Sequence, residues 1–199
     1  MRTTLALLLS TALPASAADL TLLVDRTERS VEMFVKFETL ETEALLAPLP
    51  ADFLDAEGLV DIAPFREGTY LYGDELWADI ETVIDGEDAL VEAMSLMVHP
   101  DSLPVDFDDP IDGWIAMAVC NVTDPNARFE LGELSTYAGF IAWDVQGHAP
   151  LSLTFPREME VEMTEFLEGR EISARTVSVG PDAPLTLDAV TTWERLRFW

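Results

Sequence analysis

The chain has 199 residues, 38 Asp plus Glu against 11 Lys plus Arg, and a formal net charge of −27 at pH 7. A charge of that sign repels phosphate backbones and anionic lipid surfaces, which disfavours nucleic acid and acidic membranes as partners. With Cys120 as the only cysteine no internal disulfide can form, so packing alone must hold the fold together.

The first segment, MRTTLALLLSTALPASAADL, carries Arg2, an apolar run from Leu5 to Leu13 and an Ala15-Ser16-Ala17 cleavage site, the three parts of a secretory signal peptide. The run is far shorter than the roughly 20 residues of a membrane-spanning helix, and no later segment approaches that length. The expected mature chain is therefore a single exported domain, residues 18–199, periplasmic or extracellular. No cysteine follows the cleavage region, which argues against a lipid anchor.

Val31, Met33, Val35 and Phe37 alternate with Glu32, Phe34, Lys36 and Glu38, the period of a half-buried strand. Residues 39–54 loosen into a pattern that holds one or two short helices broken at Pro48 and Pro50, and a helical turn is expected at Gly73 to Leu76. Ala78, Ile80, Thr82 and Ile84 share one face of a strand ahead of Asp85-Gly86, a tight-turn dipeptide from which Leu90 to Val98 returns antiparallel. Trp114 to Cys120 is an unbroken apolar run of strand length, which puts Cys120 in a central strand as a buried, inert thiol. Tyr137 to Val145 reads as a strand, Gln146 to Pro150 as a hairpin turn, and Leu151, Leu153 and Phe155 as the buried face of the returning partner. Met159, Val161 and Met163 alternate with Glu158, Glu160 and Glu162, giving one apolar and one acidic face. Glu171 to Val179, Leu185 to Val190 and the terminal WERLRFW complete the list of strands.

About nine or ten short strands at turn-marked intervals, with few helices, predict a mainly β fold, an antiparallel β-sandwich or partly open barrel. An outer-membrane barrel fits poorly, because Arg195 and Arg197 would face lipid together with Trp199.

Candidate sites are few. Met94, Met97 and His99 are soft donors that suit monovalent copper. In a regular strand Met97 and His99 point one way and Met94 the other, so at most Met97 and His99 pair. Asp106, Asp108, Asp109 and Asp112 crowd the stretch VDFDDPIDGW, and carboxylates in a turn suit calcium, although the spacing is not that of an EF-hand loop. The alternative for these aspartates is a solvated connector leading into a buried Trp114 strand. The Glu158, Glu160, Glu162 ladder reads as a solvated face or as protection of a sheet edge. There is no G-x-S-x-G, H-E-x-x-H, P-loop or dinucleotide glycine pattern.

No cofactor is required by any motif. The reading that follows is an exported, non-catalytic binding or scaffold module for a protein or small ligand in the cell envelope. A metal-handling protein is the first alternative, with calcium at Asp106 to Asp112 or copper at Met97 and His99. A carboxylate-based hydrolase is the second.

Overall fold

The computed structural model describes residues 18–38, 54–61 and 73–191, apart from 123 and 125. The expected signal peptide, all but the last residue of the expected helical stretch 39–54, and the strand expected in WERLRFW lie outside the described residues. In chain order the strands are β1 (Leu20–Arg26), β2 (Ser30–Glu38), β3 (Val60–Asp61), β4 (Glu81–Ile84), β5 (Glu87–Asp88) and β6 (Val91–Pro100). Then come helix α1 (Pro110–Ala118) and strands β7 (Arg128–Phe129), β8 (Leu134–Trp143), β9 (Leu151–Thr154), β10 (Met159–Leu167), β11 (Arg170–Val179) and β12 (Leu185–Leu187).

Two sheets make a sandwich, as the strand-rich pattern predicts. The larger has the order β11-β10-β1-β2-β8-β6, the smaller β12-β9-β4-β5, and β3 with β7 forms a short separate ladder. Leu22, Val24, Met33 and Val35 of the larger sheet share one core with Ile84, Leu151, Leu153, Leu185 and Leu187 of the smaller. Alternation sends every second side chain to the opposite face of the larger sheet. There Leu23, Phe34 and Tyr137 form a second core under α1, with Ala116 and Met117 of the helix.

One pair departs from antiparallel geometry: β1 runs parallel to β10, Leu20 opposite Val161 through Arg26 opposite Leu167. At the end of that pair Arg26 is fully buried. Its Nε donates to Gly147 O at 2.8 Å, Nη1 to Glu165 Oε1 at 2.7 Å and to Asp188 O at 2.8 Å, and Nη2 to Ala149 O. One guanidinium thus joins β1, β10, the β8–β9 connection and the segment after β12, using its rigid fork of donors.

Several expectations are corrected. The run from Trp114 is not a strand: Pro110–Ala118 is helical, and Cys120 lies beyond it, half-buried and outside any strand. Asp109 is the N-cap, its Oδ1 accepting from Asp112 N at 2.9 Å, and Pro110 begins the first turn, where its missing N–H costs nothing. Gln146 to Pro150 is not a hairpin turn either. Strand β8 lies in the larger sheet and β9 in the smaller, so the segment crosses between them. Asp85 and Gly86 do make a tight turn, both with positive φ (55° and 82°), but it closes only the short β4–β5 ladder, and β6 leaves to pair with β8. Glu160 and Glu162 sit on β10, between β1 and β11, with Glu158 just before it, so the ladder guards no edge. Strand β1, which alternation does not mark, is central.

Candidate functional site

Helix α1 is apolar on both sides. Pro110, Gly113, Ala116 and Met117 are buried against the sheet. Gly113 is required there, because a Cβ would come within 2.7 Å of the Phe34 ring. Gly139 of β8 likewise leaves room for the ends of Met117 and Met94. The outward side carries Ile111, Trp114 and Ile115, 68%, 45% and 46% exposed, followed by Val119 at 41%. Their spacing of three and four residues lines them along one stripe. Asp112 is the helix's single polar residue.

Trp114 is held rather than loose. Its Nε1–H donates to Glu32 Oε2 at 3.2 Å, and its ring meets Phe34 edge-on at 5.9 Å. Glu32 belongs to a row that crosses the sheet on the α1 side. Phe166, Asp25, Glu32, Ile141 and Glu92 are successive partners across β10, β1, β2, β8 and β6. Asp25 and Glu32 are directly opposite each other, a cross-strand position in which like charges repel. Burial pushes the Asp25 carboxyl above the usual range; the Glu168 charge adds to this, and the Gly169 N–H opposes it. Burial likewise raises Glu32, with the Trp114 N–H opposing and the Asp25 charge adding. Two residues beyond Ile141 on the same face stands Trp143, 60% exposed.

A cavity of about 330 Å³ borders the core under α1, lined by Lys36, Asp106, Asp108, Glu162, Thr21 and Thr164 among others. Lys36, the chain's only lysine, also lies 5.5 Å from the centre of the Tyr137 ring, near enough for a cation–π contact.

The sequence-derived residues are dispersed by this arrangement. Asp106 and Asp108 line the cavity, whereas Asp109 caps α1 and the Asp112 carboxylate accepts from Asp108 N at 3.3 Å. Among the described residues no group of three or more His, Cys, Asp or Glu is gathered to hold a metal ion. Met97 and His99 are both buried on the α1 side of β6. A bulge between Ala93 and Ser95 inserts Met94 and shifts the register, so Met94 packs into the core under α1 instead of pointing away. His99 Nε2 donates to Ala116 O at 2.6 Å, which leaves Nδ1 as a bare lone pair, buried and without a hydrogen-bond partner among the described residues. Burial lowers the His99 pKa, and the bond to Ala116 opposes that shift.

Sequence reasoning passed over Trp114 as a surface residue and Asp25 altogether, and it read Glu32 only as the polar side of a strand. The Asp109-Pro110 pair, an N-cap followed by proline, is the signal that would have exposed the helix and with it the outward stripe. No protein-family model matches the chain, and no curated protein matches it.

Proposed function

We propose that the protein is an exported, non-catalytic binding module whose contact surface is the outward face of α1. The observation that carries this reading is a nine-residue helix with apolar side chains on both faces and one polar residue. A helix apolar all round belongs in an interior, and here one side already has its interior while the other stands in water. Trp on a fixed backbone is among the residue types that anchor protein interfaces, and the tie to Glu32 pre-orients the indole. The leader-like N-terminus supports placing this module in the envelope or outside the cell.

A photo-crosslinking residue at position 115, introduced in cells of the natural source, tests the reading. A discrete adduct from position 115 and none from exposed position 90 is the expected outcome. Equal labelling from both positions, or none from either, removes the reading.

The buried Nδ1 of His99 favours a second one: monovalent copper held by His99 with Met97, whose thioether suits the soft ion. Competition with a chromogenic copper(I) chelator tests it. One equivalent retained by the protein, and lost in Met97→Leu, supports it; no retention removes it.

A further inference from the structure

We infer that the α1 face takes a cationic amphipathic helix of a partner protein, with the partner's apolar stripe laid along Ile111, Trp114 and Ile115 and its Lys and Arg residues reaching the carboxylates on either side. This rests on the binding reading above and names the class of partner. Three features of the surface select that class.

The first is shape. The stripe follows a single helix, so Ile111 to Ile115 make a straight ridge about 6 Å long, which Val119 extends just past the helix end. A ridge of side chains three and four residues apart fits the groove between the same rows on another helix.

The second is the charge beside the ridge. Asp112 projects from the helix itself and Asp108 stands exposed just before it. On the sheet, half-buried Glu32 lies next to Trp114, and exposed Glu92 stands further along the same row. Among the described residues, Lys36 shares its cavity with Asp106, Asp108 and Glu162, and Arg29 bonds Asp144 at 2.6 Å.

The third is the field of the whole chain. A net charge of −27 draws a cationic partner and raises its rate of encounter. The same field opposes a second copy of this chain and an anionic bilayer at the same ridge. Lipid without net charge is the remaining competitor for a Trp-bearing apolar stripe, and it becomes an arm of the test.

The purified protein is titrated with a synthetic amphipathic Leu/Lys helix of about 18 residues, with its Leu/Glu counterpart, and with vesicles of zwitterionic phosphatidylcholine. Binding is followed by calorimetry at low and at high ionic strength. Two variants accompany the parent: Ile111→Ser with Ile115→Ser, both on the exposed side of α1, and Leu90→Ser, an exposed apolar residue off the helix. Circular dichroism and thermal melts establish that both fold.

The Leu/Lys helix is expected to bind and to weaken at high salt as charges are screened. It should weaken at least about tenfold more in the α1 variant than in Leu90→Ser. Leu/Lys binding that is indifferent to the α1 variant would reduce the effect to diffuse attraction and overturn the inference. Leu/Glu binding that depends on Ile111 and Ile115 would overturn the cationic class while leaving α1 a binding face. Vesicle binding with that dependence, without Leu/Lys binding, would make the ridge a lipid contact. If none of the probes binds through α1, both the inference and the reading beneath it fall.

Discussion

Trp114 and Glu32 are 82 residues apart in the chain, and a 3.2 Å hydrogen bond from the indole N–H to the carboxylate joins helix to sheet. The bond couples the exposed stripe of α1 to a pair of carboxyls, Asp25 and Glu32, that burial holds above their ordinary pKa.

The coupling sets a pH dependence of known sign. Above the unfolded values of 3.8 for Asp25 and 4.5 for Glu32, the folded state keeps protons that the unfolded chain has released. Stability therefore falls as pH rises from those values through the raised folded ones, and it stays lower beyond them. Asp25→Asn with Glu32→Gln keeps the acceptors for Gly169 N–H and Trp114 N–H and removes the charges. In melts from acid to neutral pH at high salt, the variant should gain on the parent as pH rises through this window. A constant difference between the two curves would refute the assignment.

His99 gives the opposite slope. Its folded pKa lies below the unfolded 6.5, so the unfolded chain takes up the proton first and stability is lost as pH falls below 6.5. The ring should remain neutral, with the proton on Nε2, as pH falls through 6.5 in nitrogen-detected NMR. A titration centred at or above 6.5 would contradict the buried Nε2–Ala116 geometry.

Arg26 is wholly buried and paired with Glu165. Removing one partner of such a pair strands a charge, at a cost of about 3–5 kcal/mol. Arg26→Met should fall in that range by urea unfolding. Glu165→Gln, which keeps an acceptor for the guanidinium, should cost less. Equal, small losses in both would mean that the site hydrates easily and that the guanidinium does not organise the β8–β9 crossover.

Gly147 and Gly139 should respond differently to one added methyl. At Gly147 a Cβ meets the backbone carbonyl oxygens of Thr27 and Ser30, which cannot step aside without opening the β1–β2 turn. At Gly139 it meets the ends of Met117 and Met94, which can rotate away. Gly147→Ala should therefore lose about 1–3 kcal/mol or more, and Gly139→Ala distinctly less. The reverse order in denaturant melts would be inconsistent with the packing described.

Asp109 and Asp106 separate a helix cap from a calcium loop. Asp109→Ala should cost about 1 kcal/mol whether or not calcium is present, through loss of the bond to Asp112 N. Asp106→Ala should cost under about 0.5 kcal/mol, as a surface substitution. A calcium-dependent loss in both variants would restore the loop reading.

The strands that sequence reveals are those whose apolar run is broken by charge at even spacing. Val31 to Phe37 and Met159 to Met163 announce themselves through Glu32 and Lys36 in the first and Glu160 and Glu162 in the second, although Phe34, between the first two charges, is buried under α1. Strand β1 is buried along almost its whole length, so it shows no alternation. The α1 run fails for the same reason from the other direction: with apolar residues on both faces, neither a period of two nor one of 3.6 stands out. Turn chemistry at Asp85-Gly86 is local and readable, whereas the change of sheet at Gly147 depends on Arg26, Thr27 and Ser30, more than a hundred residues earlier. The bulge at Met94 is invisible in spacing and reverses the side-chain parity that spacing implies. The candidate site is a meeting of β1, β2 and α1, and only topology brings it about.

The parallel pairing of β1 with β10 has a consequence for the order of events in folding. The first strand can close a hairpin with β2 as soon as both exist, but its other edge waits for Val161 to Leu167. Arg26 waits longer still, because its last acceptor is the carbonyl of Asp188. Such distant pairings raise the entropy that must be lost before contacts repay it, and they slow the final step. Strands β1, β2, β8 and β6 are adjacent in the larger sheet and all present by Trp143, so that sheet is completed only when β10 and β11 follow.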